Sequence, residues 1–463
     1  MRRGAAMTDD ALIKRSALLI ATLSAFLTPF TVSSINIALP EIGKEFQMGA
    51  VLLSWVPASY LLAAAMFLVP FGRLADIVGR KRIFAWGIWI FTASSLLLAF
   101  SPSAQILLLF RVLQGFGSAM IFGTGMAILT SVFPAAERGR VLGINVSAVY
   151  LGLSLGPPLG GFLTQQFGWR SIFLVNVPLG LFVIYLLLSR LKKDWAEARG
   201  EKFDLGGAVI YSAMLVSLMY GLSRLPSRTG YALTAVGAAG VALFILWERR
   251  ASSPLLNMDL FFRNATFAFS NLAALINYSA TFAVTFLMSL YLQYIMGFTP
   301  QYAGMILIAQ PLVMAIFSPF AGRLSDRIEP RVVASIGMGF AAAGLFLFRF
   351  LGPGTHLGFV ITGLLLLGFG FALFSSPNTN AVMSSIDRKF YGVGSATLGT
   401  MRLTGQMLSM GIAMVLFAFH MGGARITPDN YPLFLTSMRS AYTIFATLCF
   451  GGIFASLARG KVR

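Results

Sequence analysis

The sequence predicts an all-α integral membrane protein with two six-helix bundles and two inserted helices, fourteen transmembrane spans in all. Three observations carry that prediction. Apolar residues make up 57% of the 463 and charged ones 11%, and the mean hydropathy is +0.79, whereas a soluble domain carries about 25% charged residues. A bilayer core needs about 20 apolar residues per helix, and the chain offers fourteen such runs. A charged stretch, Gly72-Arg73-Leu74-Ala75-Asp76-Ile77-Val78-Gly79-Arg80-Lys81-Arg82, has a shorter echo 250 residues later, Gly322-Arg323-Leu324-Ser325-Asp326-Arg327. A charged turn repeated at matching points between apolar spans marks an internally duplicated transporter.

The first six runs lie near 16–38, 52–72, 83–101, 105–130, 141–165 and 171–190, and form an N-terminal bundle over 1–190. Residues 191–264 hold a charged linker and two added runs, near 205–223 and 231–247. The last six, near 267–291, 302–322, 332–350, 357–376, 392–418 and 438–457, form a C-terminal bundle over 265–463. Lys192 to Asp204 mixes both signs of charge and reads as a solvated surface turn. With both termini in the cytoplasm, 26 of the 35 Lys and Arg fall in inner segments and 7 in outer loops. Arg111 and Arg402 remain inside spans. This bias obeys the positive-inside rule and requires an even number of spans. It also accounts for the net charge of +19 without a nucleic-acid partner, because the basic residues flank apolar spans. Cys449, the single cysteine, sits in the last run, where buried packing is expected. No cleavable signal peptide is expected, because Met1 to Asp10 is short and polar and the first apolar run continues into a full span.

Within the charged stretch, Gly72 is expected to let two helices approach closely. Gly79, Arg80 and Lys81 suit a cytoplasmic turn. Asp76 is expected to cap the positive N-terminus of a neighbouring helix and so latch the bundles together on one side, with Asp326 as its echo. The stretch resembles the helix 2–3 loop signature of the major facilitator superfamily, GxLaDrxGrkr. That resemblance implies the major facilitator fold and transport by alternating access.

The fourth run contains Arg111-Val112-Leu113-Gln114-Gly115-Phe116-Gly117. A buried arginine is costly and must face protein or a wet cavity. The segment resembles the superfamily's RxxQGxG signature, whose arginine is linked to proton transfer. A structural arginine pinning helix 4 to helix 1, with Gln114 and freed carbonyls as partners, is the alternative. In the fifth run Gly152, Gly156 and Gly160 recur every four residues and make one smooth helix face, suited to close packing. Pro157 and Pro158 remove backbone donors and bend the helix, which makes a hinge. The run resembles the antiporter signature GxxxGPxxGG of the export branches; plain helix packing is the other reading. Asn36-Ile37-Ala38-Leu39-Pro40, Gly168-Trp169-Arg170-Ser171-Ile172-Phe173 leading to Asn176-Val177-Pro178, and Tyr291-Leu292-Gln293 with Gly297-Phe298-Thr299-Pro300 resemble stretches of the fourteen-helix drug:proton antiporter branch. The resemblance covers nearly the whole chain.

One departure matters. That branch usually carries an aspartate five residues before the position of Asn36, and here Thr31 stands there. None of the sixteen acidic residues lies at the centre of a span, and His356 and His420 lie in or near outer loops. Proton coupling needs a group that titrates near working pH and alternates between the two sides. Coupling through an edge carboxylate such as Asp76, coupling through the substrate's own charge, and uncoupled facilitation all stay open.

Candidates for a substrate cavity are Trp55, Asn145, Tyr150, Asn277, Tyr278, Phe282, Phe286, Gln310, Phe374, Asn378, Met401, Gln406 and Met407. Met and Phe deform around varied shapes, which suits promiscuous binding. Arg111 and Arg402, if both face the cavity, give it a positive field that favours neutral, zwitterionic or anionic amphiphiles; if carbonyls hold them, the field disappears. The expected function is secondary active export of hydrophobic or amphiphilic compounds, of the multidrug efflux type, across the cytoplasmic membrane by a monomer. A lipid or lipid-like amphiphile exporter or facilitator with weak or no proton coupling is the alternative on the same scaffold. A non-transporting receptor or scaffold is the alternative of another class. No nucleophile–base pair or metal-ligand cluster is visible, so neither an enzyme nor a bound cofactor is expected, beyond a coupling proton.

Overall fold

The computed structural model describes residues 2–191, 194–251, 253–387 and 391–460. Among the described residues there is no strand, and fourteen helical spans are long and apolar enough to cross a membrane. The N-terminal bundle comprises α1 (Arg2–Glu45), α2 (Ala50–Val78), α3 (Arg80–Ala99), α4 (Ala104–Val132), α5 (Ala135–Phe167) and α6 (Ser171–Arg190). The inserted helices are α7 (Leu205–Ser223) and α8 (Arg228–Glu248), followed by the short α9 (Met258–Arg263). In the C-terminal bundle the ninth span is built from α10 (Ala265–Thr281), α11 (Ala283–Leu290) and a π-helical turn at Tyr291–Ile295. The tenth joins α12 (Pro300–Leu307) to α13 (Ala309–Ser325). Then come α14 (Pro330–Phe348), α15 (Leu357–Ser384), α16 (Tyr391–Met421) and α17 (Tyr431–Ala458).

Most helices run past the apolar runs that announce them, because their polar ends stay helical outside the hydrocarbon. The signature stretch is itself helical to Val78, and the turn is confined to Gly79. Side-chain caps begin several spans: Ser103 accepts from the Ile106 N–H, Ser227 from Gly230, Asn264 from Phe267 and Thr299 from Tyr302. Each satisfies an orphan donor of the first turn.

The duplication is legible in the packing. A methyl on Gly87 of α3 would stand 2.9 Å from the Gly117 carbonyl of α4, and one on Gly117 would stand 2.8 Å from the Gly87 carbonyl. In the second half Gly337 of α14 and Gly370 of α15 meet in the same reciprocal way, at 2.6 Å each. Only glycine allows backbones this close, and van der Waals contact at such crossings drives helix association in lipid. The inserted α7 packs against α8, and also against both α2 and α16. It therefore covers one seam between the bundles. By contrast, α8 is only 17% buried over its most apolar window and faces outward.

Candidate functional site

The α2–α3 turn lies at the end of the molecule that carries most of the arginines, here called the basic face. Gly79 has φ +133°, a backbone conformation that favours glycine. A methyl there would also strike the carboxylate of Asp194. Asp194 Oδ1 accepts the N–H of Lys81 at 2.9 Å and that of Trp195 at 2.9 Å, so Asp194 caps the positive start of α3. The sequence assigned a capping role to Asp76. In the structure Asp76 instead pairs with Arg80, four residues on, at 2.8 Å. The physical reason is position: Asp76 sits in the last turn of α2, where exposed carbonyls repel a carboxylate and an arginine at i+4 offsets that repulsion.

Arg80 gathers more than Asp76. It forks onto Glu197 at 2.7 and 2.9 Å and donates to Ser131 Oγ on α4 at 2.7 Å. The Arg80 N–H donates to the Trp195 carbonyl at 2.8 Å, and the Ala198 N–H donates to the Asp76 carbonyl at 2.9 Å. Arg73 pairs with Glu201. Residues 194–201 thus form a strap bound to the signature loop, not the solvated turn their mixed charge suggested. Asp194, Glu197 and Glu201 were the missed residues, and an acidic run complementary to the arginine-rich turn was the available signal. The expected latch between the bundles is not formed in this conformer, since the partners found for Asp76 belong to its own half and to the strap, and none to the C-terminal bundle. Gly72 is also corrected: a methyl on it would meet nothing within 4 Å, and the close approach at that level is made by Gly123, whose methyl would stand 3.4 Å from the Gly72 nitrogen. In the echo, Asp326 receives Asn380 Nδ2 at 3.4 Å, within the C-terminal bundle.

Arg111 is 0% exposed. Its Nε donates to the Val56 carbonyl at 3.0 Å and one Nη to Gln114 Oε1 at 2.6 Å. Gln114 in turn donates to Ser95 Oγ at 2.8 Å. The guanidinium carbon lies 4.6 Å from the centre of the Tyr60 ring, a cation–π contact of the kind that strengthens when desolvated. Arg111 therefore pins α4 to α2 and α3, rather than to α1, and is shut away from any cavity.

At the opposite end the bundles meet. Pro40 has no N–H, so the Asn36 carbonyl loses its helical donor. Ser289 Oγ of the C-terminal bundle takes that place at 2.6 Å. Gln293 Nε2 donates to the next carbonyl, Ile37, at 3.0 Å. The Gln301 N–H donates to Gln165 Oε1 at 3.2 Å, and the Ala50 N–H to the Ala424 carbonyl at 3.0 Å. Among the described residues every hydrogen bond between the two bundles lies at this end, and none joins their basic ends. Thr31 donates to the Leu27 carbonyl of its own helix at 2.8 Å. The Asn36 side chain is buried.

The glycine face of α5 lies on α1, inside the N-terminal bundle. Methyls on Gly152, Gly156 and Gly160 would meet the Phe26 carbonyl, the Ser33 hydroxyl and Ser34 respectively. Cross-bundle contact comes from the adjoining residues. The Pro157 carbonyl touches Gly304 of α12, and Gly161 touches the Pro300 carbonyl.

Between the closed end and the basic face, side chains from both bundles converge near mid-span. The Tyr278 hydroxyl of α10 lies within electrostatic reach of Ser375 of α15, the Arg402 guanidinium of α16 and Tyr150 of α5. Phe371 packs edge-on against Tyr278, with ring centroids 5.3 Å apart. Tyr150, Tyr278, Arg402 and Gln406 are partly exposed, as are Phe282, Gln310 and Met401. Ser375 was not foreseen, although it opens the polar stretch Ser375-Ser376-Pro377-Asn378-Thr379-Asn380, from which the sequence reading singled out Asn378 alone.

Other cavity candidates are placed elsewhere. Trp55 packs on Tyr220 of α7, ring centroids 6.4 Å apart. Asn277 points toward Cys449 of α17, and Phe286 toward Phe417 of α16. Asn378 receives Arg459 at 2.8 Å in a buried cluster at the end of α17. Burial there pushes the Arg459 guanidinium down to about 10. Asn145, Phe374 and Met407 are buried as well. The reason is common to all: in a duplicated bundle, helix faces turned to a sister helix carry the same apolar and small polar residues as faces turned to a cavity.

The chain matches the family model described as Major Facilitator Superfamily over residues 21–410, and again over 270–461. It is 32% identical over 401 residues to the multidrug resistance protein Stp of Mycobacterium tuberculosis, covering 85% of this chain and 74% of that one. It is 32% identical over 414 residues to the cephamycin export protein CmcT of Amycolatopsis lactamdurans, covering 87% and 84%. It is 27% identical over 439 residues to the riboflavin transporter RibZ of Clostridioides difficile, covering 94% and 95%. Among solved structures it resembles the peptide transporter POT in complex with sulfate, with TM-score 0.70, 14% identity, and 95% and 94% of the two chains covered. That last likeness speaks to the fold.

Proposed function

The chain belongs to the Major Facilitator Superfamily, and from that premise we propose that it exports hydrophobic or amphiphilic compounds by alternating access. It is a multi-pass membrane transporter, not an enzyme. Substrate enters from the basic face, taken as cytoplasmic on the charge bias, and binds beside Tyr150, Tyr278 and Arg402. The observation that carries this reading is the asymmetry of the inter-bundle hydrogen bonds, which among the described residues lie at the end away from the basic face. That is what a transporter open to the cytoplasm requires, and opening outward needs those few contacts exchanged for others at the basic end. The similarity to the multidrug resistance protein Stp and to the cephamycin export protein CmcT supports the exporting direction.

Coupling to protons is proposed to be weak, absent or carried from a helix edge. A titrating carboxylate at mid-span would be the usual device, and the position at which the resemblance to the drug:proton antiporter branch implies an aspartate is occupied by Thr31, bonded to its own helix. Reconstituted vesicles loaded with a lipophilic fluorescent substrate test both points, with and without an imposed pH gradient. Export at similar rates in the two conditions is expected. No export in either condition defeats the exporter reading; export that stops without the gradient defeats the coupling statement.

Orientation has its own check. A cysteine placed at Ser227, in the loop between α7 and α8, should react with a membrane-impermeant maleimide added to intact cells. Labelling only after the cytoplasm is exposed would reverse the topology.

A further inference from the structure

We propose that the mid-span site selects amphiphiles bearing a carboxylate, with Arg402 as the group that recognises it; this rests on the exporter reading and specifies its substrate class. The two arginines inside the spans are treated in opposite ways. Arg111 is wholly buried against a carbonyl, Gln114 and the face of Tyr60, with one guanidinium nitrogen left without a hydrogen bond among the described residues. Arg402 is partly exposed between the bundles, within electrostatic reach of the Tyr278 hydroxyl. Among the described residues no carboxylate pairs with Arg402: the ion pairs lie near the ends of the spans and in the strap.

A guanidinium offers five donors in a fixed fork, and one phenol cannot occupy them. A cation held at mid-membrane without a counter-ion is expensive, so a site that keeps one exposed favours an anionic partner. The fork matches a carboxylate in two parallel hydrogen bonds, which is the strongest pairing open to it. Tyr278, steadied by Ser375, and Tyr150 from the other bundle add hydroxyl donors at the same place. Phe371, Phe282 and Met401 supply apolar surface for the rest of the molecule. Because Tyr150 belongs to one bundle and Arg402, Tyr278 and Ser375 to the other, a bound carboxylate bridges the two moving parts. Its charge then stabilises the conformers in which the parts are close, which ties translocation to the substrate's own anion.

The test uses three probes of one shape and different charge: dodecanoate, dodecanol and dodecyltrimethylammonium, titrated calorimetrically against the full-length protein in a neutral detergent. Dodecanoate should bind at least about tenfold more tightly than the ammonium. Arg402→Gln should erase that preference by weakening dodecanoate about 10- to 100-fold while leaving dodecanol within about threefold, the loss expected for a hydrogen bond to a charged group. Arg402→Lys should keep part of it, since the charge remains and the fork is gone. Equal or tighter binding of the ammonium by the unsubstituted protein overturns the proposal without any variant having to fold. So does an unchanged preference in Arg402→Gln. Vesicle transport of the three probes separates the two levels: transport with no charge preference sinks the carboxylate assignment alone, whereas charge-selective binding with no transport of any probe sinks the exporter reading.

Discussion

Gly156→Leu is expected to abolish transport. A methyl at Gly156 already collides with the Ser33 hydroxyl, and Ser33 Oγ itself donates to the Gly152 carbonyl at 3.3 Å. A leucine there must push α1 and α5 apart along the face that Gly152 and Gly160 extend. Overpacking of this kind costs about 1–3 kcal/mol in a core that can adjust, and a glycine crossing in lipid has little freedom to adjust. The consequence reaches the gate, because Pro157 and Gly161 on the same helix contact α12 of the other bundle. Initial transport rates at matched membrane abundance should fall below a tenth of the unsubstituted rate. Gly143→Ala in the same helix is the control, since a methyl there meets nothing within 4 Å. Activity near normal in Gly156→Leu would remove the close-packed α1–α5 face from the mechanism.

Arg80→Ala carries the second largest expected effect. One side chain joins three segments: Asp76 on α2, Ser131 on α4 and Glu197 in the strap. Asp76 is partly exposed and Glu197 exposed, so the loss in stability is modest, on the order of 1 kcal/mol after screening. Transport should suffer more than folding. The strap and the signature loop are bound in this conformer, and freeing them changes the relative stability of inward- and outward-open forms. A three- to tenfold lower rate, with melting temperature lowered by only a few degrees, is the expected pair of readings. Asp76→Asn should lie in the same direction with a smaller effect. Normal transport in Arg80→Ala would leave the strap a packing detail.

Much of this molecule could be read from residues in order. The number of spans, the duplication and the two inserted helices follow from hydropathy and from a charged stretch that recurs after 250 residues. These features are local or periodic, and water and lipid enforce them span by span. The glycine spacing in α5 announced a tight crossing, and the structure supplied its partner, α1. Spacing fixes a face, but it does not say which helix lies against that face.

What tertiary structure alone decided has the same cause each time: the identity of the group that arrives from elsewhere in the chain. Asp76 and Asp194 are both acids near a basic turn, and only the path of the linker shows that Asp194 caps α3 while Asp76 turns to Arg80. Arg111 and Arg402 are both isolated arginines in apolar runs. One is closed in by Val56, Gln114 and Tyr60, and the other meets Tyr278 between the bundles. The sequence by itself determined that the chain crosses a membrane fourteen times in two related halves, because the cost of exposing apolar surface or bare backbone polar groups depends on residue type alone. Which arginine is closed in among its neighbours, and which stays partly exposed between the bundles, depends on distances between residues far apart in the chain, and those exist only once the helices are packed.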